Sequence, residues 1–494
     1  MTHPLDYFIQ RPKRHAVYDV KTVQAWERHW FETSGSYPLM KQVAYLMALS
    51  CDDWLGKTWQ NLYAPKIVVV CGRGNNGGDG YWVGYHLSKM GHDVTIIVPD
   101  LPVLAECRQT YQDVVQVVSV SDDVGDIDGA DVVVDGLFGI GLDRVLSDEY
   151  IRLIHAINVC PIKIALDMPS GLSSTGYPLP VAVRADVTLC AIAPKVGLLT
   201  GQGRTFAGRI IPINILPPDD DCPPVAYLDT SPVQTSLRPP HAHKGDFGHV
   251  YVIGGHPNMG GAVMMASESA MAVGAGKLTV VCHHHHHAPI LARSPNVMVK
   301  DAERWDVAEL DGADVVAFGM GLGRDDWARE RFLAFFKWLN HMNRQLTTKP
   351  RIILDADGLY WLSRFPQTLP DTVICTPHSA EAGRLLGKSA GDVEQDRLGA
   401  IHELAQNYGA SWVLKGAGTL TLEHDVVNIC PYGNPKMATA GMGDVLSGVI
   451  AGLVAQGVGL SDCVKIHAQA GDELVKDGQV MAHQMAGVLT KVVG

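Results

Sequence analysis

The sequence has 494 residues, of which 47% are hydrophobic, and its formal net charge is −12 at pH 7. This length allows two or more domains with sizeable cores, and the hydrophobic content is too high for a disordered chain. The acidic balance argues against a nucleic-acid-binding protein, which requires a concentrated basic face.

Neither a membrane segment nor a secretory signal is evident. The N-terminal residues Met1–Asp6 lack a basic stretch followed by an apolar one. The longest apolar region, around Val445 to Leu460, is interrupted by four glycines and a glutamine, so it is too short to span a bilayer. The ten cysteines form no C-x-x-C pair, which argues against a zinc ribbon or a thioredoxin-like motif. We therefore expect a cytoplasmic protein without a membrane partner.

Residues 1–50 precede the first predicted strand. Val20–Phe31 and Leu39–Leu49 carry apolar residues at helical spacing. We expect these helices to cover a face of a sheet, with a dimer contact as the alternative.

The front half alternates short β-branched runs with helical stretches such as Tyr81–Lys89. The runs are continuously apolar, which is typical of parallel strands buried on both faces by helices. This pattern predicts a Rossmann-like three-layer α/β/α domain over residues 1–216. Its predicted strands are Lys66–Cys71, Asp93–Val98, Val114–Val120, Asp131–Asp135, Lys163–Asp167, Val187–Ile192 and Arg209–Ile215.

Residues 217–240 are rich in proline and aspartate and are predicted to be a linker. A second α/β series then occupies residues 241–494, with helical stretches at Gly261–Val273 and Asp326–Asn340. The pattern again predicts a three-layer α/β/α domain. Its predicted strands are His249–Ile253, Lys277–Val281, Ala313–Phe318, Arg351–Leu354, Thr372–Cys375 and Trp412–Leu414.

Three polar loops of the front half follow predicted strands: Gly72–Gly80, Asp135–Arg144 and Asp167–Gly171. Glycines between a strand and a helix let the backbone approach a phosphate, although such a loop can also simply cap the helix. Ligands of open α/β sheets bind outside the carboxyl ends of the strands. The three loops are therefore predicted to converge on one ligand site.

The motifs GRGNNGGDG, DGLFGIGL, LDMPSGL, PKVG and GQG resemble the NAD(P)H-hydrate epimerase family, the YjeF N-terminal domain, over about residues 15–215. The resemblance implies that Asp167 is the acid/base group and that Lys195 stabilises charge, although an ordinary lysine at the pocket rim remains the alternative for Lys195. It implies a potassium ion held by oxygens of Asn76, Asp135 and Ser170. The implied substrate-binding residues are Asn75, Asn76, Gly77, Gly78, Asp79, Gly139, Ile140, Gly141, Leu142, Asp143, Arg144 and Val145.

One motif departs from that family. Its usual Leu-Met-Glu-x-Ala is replaced here by Leu39 and Met40 followed by Lys41, Gln42 and Val43. The missing glutamate affects the dimer contact or pocket floor built there, and it leaves the three loops untouched.

The back half contains Asn434–Gly448, whose second part opens a long apolar helix. Glycines at a helix N-terminus leave amides that can stabilise a phosphate in transfer, and an aspartate there can accept the proton of an attacking hydroxyl. Asp444 is therefore a candidate base, with a simple helix cap as the alternative.

Further loops complete a resemblance to the ribokinase-like superfamily. Within it, HKGDFGHVYVIGG, GMGLG, DADGL, TPHSAEA, LKGAGT and ATAGMGDVLSG resemble the NAD(P)H-hydrate dehydratase family over about residues 240–494. The resemblance implies that Asp444 activates the C6 hydroxyl of the hydrated nicotinamide for phosphorylation by ADP, with Mg²⁺ on the phosphates. The implied substrate contacts are Ala262, Gly321, His378 and Asp444. The implied nucleotide contacts are Lys415, Gly416, Ala417, Gly418, Thr419 and Gly443.

The run His283–His287 follows a predicted strand. A metal site needs fixed geometry, which a flexible run rarely provides, so we expect a polar surface loop. Incidental nickel or zinc binding there would have no consequence for the mechanism.

Taken together, the resemblances predict a bifunctional enzyme that epimerises hydrated NADH and NADPH and dehydrates the S form. We also expect a homo-oligomer. The alternatives are a small-molecule kinase with an accessory front domain and a non-enzymatic dinucleotide-binding protein. An NAD-dependent dehydrogenase fits poorly, because the loop Gly72–Gly80 departs from the usual dinucleotide fingerprint.

Overall fold

A computed structural model describes residues 3–61, 63–142, 144–235, 238–345 and 349–493. The chain forms two compact units that divide between Leu228 and Asp229. Among the described helices, none combines the length and the hydropathy needed to cross a membrane.

The front unit is built on a seven-stranded sheet in which every neighbouring pair is parallel. From edge to edge the strands are Ser119–Ser121, Asp93–Ile97, Lys66–Cys71, Val132–Gly136, Ile162–Leu166, Val187–Ala191 and Arg209–Ile213. A short strand Arg14–Val17 lies outside this sheet, and the α-helices are Asp6–Ile9, Val20–Ser34, Ser36–Thr58, Asn75–Lys89, Ala105–Val114, Asp148–Val159, Val196–Leu199 and Gly203–Phe206.

Helices cover both faces of this sheet. Along the central strand, Val69 belongs to one hydrophobic cluster, whereas its neighbours Val68 and Val70 belong to another. Alternate side chains of a strand point to opposite faces, so both faces are buried. The prediction of a three-layer domain with a parallel sheet is therefore confirmed.

The back unit contains nine consecutive sheet strands with helices on both sides. In sheet order they are Val426–Ile429, Leu420–Glu423, Gly409–Leu414, Leu369–Cys375, Arg351–Leu354, Val315–Phe318, His249–Ile253, Lys277–Cys282 and Met298–Asp301. The α-helices are Gly260–Ala272, His287–Arg293, Asp326–Gln345, Asp357–Arg364, Ser379–Leu386, Ala390–Gln395, Arg397–Tyr408, Met442–Val454, Leu460–Leu474 and Met485–Val493.

The predicted strands of both halves are confirmed, with boundary shifts of a few residues, except for Val114–Val120. In the structure Ala105–Val114 is a helix and the strand is only Ser119–Ser121, because Val114 faces the core as the last helical residue.

The prediction also missed the antiparallel hairpin formed by Leu420–Glu423 and Val426–Ile429. A strand, Ala226–Asp229, lies within the proline-rich residues 217–240 that we expected to be a linker.

The two predicted N-terminal helices are Val20–Ser34 and Ser36–Thr58. Leu39, Met40 and Val43 of the second helix join the core of the front unit, as expected for helices that cover a sheet. The run of histidines differs from the prediction of a loop, because His284–His286 form a 3₁₀ turn and the helix His287–Arg293 follows.

Candidate functional sites

The first glycine loop of the front unit joins the strand Lys66–Cys71 to the helix Asn75–Lys89. A Cβ atom on Gly72 would lie 1.9 Å from the Leu137 carbonyl oxygen, and one on Gly77 would lie 1.9 Å from the Gly72 carbonyl oxygen. Only glycine fits such close backbone contacts. The loops that begin at Gly72 and at Asp135 therefore touch, as their position after neighbouring strands predicted.

Asp135 connects the second loop to the third. Its Oδ1 accepts a 2.6 Å hydrogen bond from Ser170 Oγ, and its Oδ2 accepts a 2.8 Å bond from the Ser170 amide. Both side chains are fully buried. Burial raises the pKa of Asp135 to about 6, although the hydrogen bonds from Ser170 oppose the shift. The site thus holds a carboxylate whose charge is poorly solvated.

Asn76, Gly139 and Asp167 line one space. A Cβ atom on Gly139 would lie 3.2 Å from Asp167 Oδ2 and 3.3 Å from Asn76 Cγ. The side-chain amide of Asn76 is buried, and no described residue hydrogen-bonds to it. A buried amide of this kind normally has a partner, so its position is suited to a ligand.

The other predicted substrate-binding residues of the front unit differ in exposure. Gly77, Gly78 and Leu142 are buried, Asp79 and Ile140 are half-buried, and Asn75, Gly141, Arg144 and Val145 are exposed. Asp143 lies outside the described residues. The structure therefore brings Asn76 and Gly139 to Asp167, whereas it leaves Arg144 and Val145 on the surface.

Asp167 and Lys195 form a buried ion pair, in which Lys195 Nζ donates to Asp167 Oδ1 and, over 2.6 Å, to the Ala191 carbonyl. Lys195 is only 1% exposed. Burial disfavours the charged form of Lys195, but the neighbouring Asp167 holds the pKa of Lys195 above its ordinary value. This burial argues against an ordinary lysine at the pocket rim. Asp167 itself has a φ of 64°, an unusual backbone conformation for a residue other than glycine.

Glu27 is a member of this charged group that the sequence reasoning missed. Burial, and then the charge of Asp167, raise the pKa of Glu27 to about 7, whereas Lys195 opposes the shift. Burial also raises the pKa of Asp79, with further contributions from Asp167 and Glu27. A backbone contact brings Glu27 near Lys195. The Tyr18 amide donates to the carbonyl of Pro194, which precedes Lys195, and Tyr18 lies just before the helix that carries Glu27. The available signal was an acidic residue directly after the buried Trp26.

In the back unit, Asp444 lies in the first turn of the helix Met442–Val454. The helix follows Gly441, whose φ of 90° favours glycine. A Cβ atom on Gly443 would lie 3.2 Å from Lys415 Nζ and 3.9 Å from Asp355 Oδ2. The structure therefore brings the predicted base together with the lysine of the predicted nucleotide loop.

Asp355 organises this cluster, although sequence reasoning assigned it no role. Its Oδ1 accepts a 2.8 Å hydrogen bond from Lys415 Nζ, and its Oδ2 accepts a 2.6 Å bond from Ser447 Oγ. Glu381 Oε2 lies 3.7 Å from the same lysine nitrogen. Burial raises the pKa of Asp444 to about 7, with a further contribution from the charge of Asp355 and opposition from Lys415. A carboxyl group in this range is suited to accept a proton near neutral pH.

Arg397 positions the predicted nucleotide loop and was also missed. Its guanidinium is 3% exposed and donates to the carbonyls of Leu414 (3.0 Å) and Lys415 (3.2 Å). Within the loop, Thr419 Oγ1 donates to the Gly416 carbonyl over 2.9 Å. Gly416 and Ala417 are exposed and Gly418 is buried, so the predicted nucleotide loop has its first glycine and alanine at the surface.

The predicted substrate residues of the back unit fall into two places. A Cβ atom on Gly321 would lie 3.0 Å from Ala262 Cβ, so these two residues adjoin. His378 instead caps the helix Ser379–Leu386, with its Nδ1 accepting a 3.1 Å hydrogen bond from the Ala380 amide. The Glu381 carboxylate, which lies near Lys415, accepts a 2.9 Å bond from the His378 amide. His378 is therefore linked to the Lys415 cluster through Glu381.

The chain matches two protein families, one in each unit. Residues 38–197 match the family described as YjeF-related protein N-terminus, and residues 250–491 match the family described as NAD(P)H-hydrate dehydratase. Among solved structures, a ribokinase-like superfamily protein from Enterococcus faecalis is 29% identical, with a TM-score of 0.48, over 52% of this chain and 91% of that chain.

Two full-length relatives cover both units. A bifunctional NAD(P)H-hydrate repair enzyme of Coxiella burnetii is 36% identical over 84% of this chain and 87% of its own length. The enzyme of the same description from Escherichia coli is 35% identical over 83% of this chain and 81% of its own length. On this identity across both units, the chain belongs to the family of bifunctional NAD(P)H-hydrate repair enzymes.

Proposed function

We propose that residues 1–216 interconvert the R and S hydrates of NADH and NADPH. We further propose that residues 241–494 dehydrate the S form while ADP is converted to AMP and phosphate. The observation that carries the proposal is the position of Asp444, at a glycine-rich helix N-terminus beside the buried Lys415–Asp355 pair. Asp444 supplies a base there, Lys415 a positive charge and the helix its free amides.

In the dehydration, Asp444 takes the proton of the C6 hydroxyl as that oxygen attacks the terminal phosphorus of ADP. The bond between this phosphorus and the bridging oxygen breaks, and AMP leaves. Lys415 and the amides around Gly443 stabilise the charge on the transferred phosphoryl group. Phosphate then departs with the C6–O bond pair while a proton is lost from C5, which restores the ring double bond.

The carboxylates near Asp444 fit a magnesium ion that accompanies the phosphates. Asp355, Glu381 and Asp357 all raise the pKa of Asp444 through their charges. Mg²⁺ prefers oxygen ligands, and when bound it neutralises phosphate charge. The position of Lys415 between Asp355 and Glu381 keeps those two carboxylates in place.

In the epimerisation, the buried Asp167–Lys195 pair moves a proton at the C6 oxygen. The C6 carbon bears both nitrogen and oxygen, so it inverts when one of these bonds breaks and forms again on the other face. Either step needs a proton to reach or leave a heteroatom, which general acid–base catalysis provides. Lys195 stabilises the carboxylate form of Asp167, and Asn76 lies across Gly139 from it to orient the ring.

Potassium is proposed for the front site on chemical grounds. The Asn76 amide is buried with no hydrogen-bond partner among the described residues, and Asp135 and Ser170 are buried oxygen donors. A hard cation fits such oxygens. When bound, it would offset the unfavourable burial of the Asp135 charge.

We also propose a cytoplasmic homo-oligomer. The helix Ser36–Thr58 packs one face on the core and exposes Tyr45, Leu46 and Leu49 on the other. Light scattering of the purified protein tests this surface: the oligomer should be lost in Leu46→Asp and kept in Leu101→Asp, which changes an exposed leucine elsewhere in the front unit.

The test of function uses the purified chain with both epimers of hydrated NADH and Mg²⁺. Parallel reactions contain ADP, ATP or no nucleotide, and the return of NADH absorbance is followed. Wild type should recover both epimers with ADP, Asp167→Asn only the S form, and Asp444→Asn neither. Asp122→Asn and Asp371→Asn, which change exposed aspartates, are the matched controls. Failure with every nucleotide would refute the proposal and favour a small-molecule kinase.

A further inference from the structure

The run of histidines lies at the edge of the back sheet where two parallel strands end together. Lys277–Cys282 pairs with Met298–Asp301, so that Cys282 is opposite Asp301. His283 is the next residue after the first strand, and Glu303 follows two residues after the second. Imidazoles and carboxylates therefore meet at one corner of the sheet, outside the Lys415–Asp355 cluster.

The backbone at this corner is fixed by hydrogen bonds. The His283 amide donates to the Gly255 carbonyl over 3.1 Å, and the Ala302 amide donates to the Cys282 carbonyl over 3.0 Å. His283 is only 6% exposed, and His284–His286 form a 3₁₀ turn. This order removes the reason for expecting a flexible loop, which was the argument against a metal site.

The side chains converge as well. One nitrogen from each of His283, His284 and His285 lies within 4.8 Å of the other two. The same distance holds among His284, Asp301 and Glu303, so His284 belongs to both groups. His283 Nε2 lies 3.9 Å from Glu303 Oε1. Donor atoms around a zinc ion lie roughly 3.4 Å apart, so rotation of the exposed side chains of His284, His285 and Glu303 can bring the donors to binding distance.

We propose that His283, His284 and His285, with Glu303 and Asp301, bind one divalent transition-metal ion of the class that prefers imidazole nitrogen, such as Zn²⁺ or Ni²⁺. Mixed nitrogen and oxygen donors select this class over Mg²⁺ and Ca²⁺, which prefer oxygen alone. The two carboxylates match the charge of the ion.

One existing hydrogen bond must change when the ion binds. Binding through Nε2 places the ring proton on Nδ1 and releases the long 3.3 Å contact from the His285 amide. That contact is weak at this length, so its loss is a small cost.

The site adjoins the helix Gly260–Ala272, which carries Ala262. A Cβ atom on Gly260 would lie 2.3 Å from His286 Nδ1, so the turn of histidines packs against the first residue of this helix. An ion that ties the two strand ends together stabilises this corner of the back unit, because a ligand that binds only the folded state raises its stability.

The test uses the full chain without an affinity tag, stripped with chelator and then titrated with ZnCl₂ or NiCl₂ in a calorimeter. One equivalent should bind, with no competition from excess MgCl₂, and the ion should raise the unfolding temperature of the back unit. His284→Ala should lower the affinity at least ~100-fold, since loss of an outer-shell partner alone costs about 10–100-fold. Glu303→Gln should lower it at least about tenfold, because Glu303 is itself a ligand and the loss of an outer-shell partner already costs that much.

His402→Ala is the matched control, because it removes an exposed histidine of the same unit. It should bind the ion as wild type does. The proposal is overturned if binding is not saturated at one equivalent, or if His284→Ala or Glu303→Gln binds as tightly as His402→Ala. Either result would identify the run as a surface that collects metal ions without a defined site.

Discussion

Lys415 Nζ donates a 2.8 Å hydrogen bond to Oδ1 of Asp355, a residue that is only 1% exposed. The second oxygen of Asp355 accepts from Ser447 Oγ, so the carboxylate is held from both sides. This arrangement fixes the ammonium group beside Gly443, where the phosphoryl group is proposed to pass. Asp355 therefore acts as a positioning residue for Lys415.

Asp355→Asn tests this relationship. The substitution leaves Lys415 with a weaker partner, and the loss of one member of a buried ion pair should reduce the unfolding free energy of the back unit by about 3 kcal/mol. The KM for ADP should rise and kcat should fall, while epimerisation is unchanged. Urea unfolding and steady-state kinetics measure these effects. Asp371→Asn should match wild type, and an Asp355→Asn enzyme with unchanged KM for ADP would contradict the positioning role.

The dehydratase should have an acid limb near pH 7. Asp444 must be ionised to accept a proton, and its pKa is raised to about 7 by burial and by the charge of Asp355. The value of kcat/KM should therefore fall about tenfold for each pH unit below that pKa. In Asp355→Asn the limb should move to lower pH, because a negative neighbour is removed. A limb that keeps its position in Asp355→Asn would show that another group titrates.

Glu27→Gln should alter epimerisation alone. Glu27 shares the site with Asp167 and Lys195, and its own pKa is raised to about 7 by burial and by Asp167. Its charge is one of those that raise the pKa of Lys195, so its removal lowers that pKa and should slow epimerisation about tenfold, an increase of about 1.4 kcal/mol in the barrier. The rate of epimerisation in Glu27→Gln should depend less on pH around pH 7 than the rate of wild type does. Glu32→Gln, an exposed change on the same helix, is the control. An unchanged pH profile in Glu27→Gln would argue for a purely structural role.

Much of this architecture could be predicted from the sequence. Strands such as Lys66–Cys71 and His249–Ile253 are continuously apolar because helices bury both faces of the sheet. Asp444 was proposed from a glycine-rich motif at a helix start, and Asp167 from the family resemblance that the motif LDMPSGL carries. These features depend on neighbouring residues in the chain, which sequence reasoning can follow.

The groups that were missed depend on contacts between distant segments. Arg397, on the helix Arg397–Tyr408, donates to the carbonyls of Leu414 and Lys415 at the end of the next strand. Glu27 interacts with Asp167 across 140 positions of the chain. The regular structure of the histidine run also depends on a contact between distant segments, because the amide of His283 donates to the Gly255 carbonyl. Such contacts are set by tertiary packing, which overrides local propensity.

Gly321→Ala tests the contact between Gly321 and Ala262. Gly321 has a φ of 58°, and an added Cβ atom would lie 2.6 Å from the Met259 carbonyl oxygen and 3.0 Å from Ala262 Cβ. An alanine in this left-handed conformation costs about 1–2 kcal/mol, and relief of the contact must displace the helix that carries Ala262. If Ala262 and Gly321 bind the hydrated ring, the KM for the S hydrate should rise at least ~10-fold, the effect of about 1.4 kcal/mol of lost binding, while the KM for ADP stays unchanged. Gly312→Ala is the control, because no atom lies within 4 Å of its added Cβ. Equal rises in both KM values would indicate general distortion of the back unit and would contradict a substrate contact at this position.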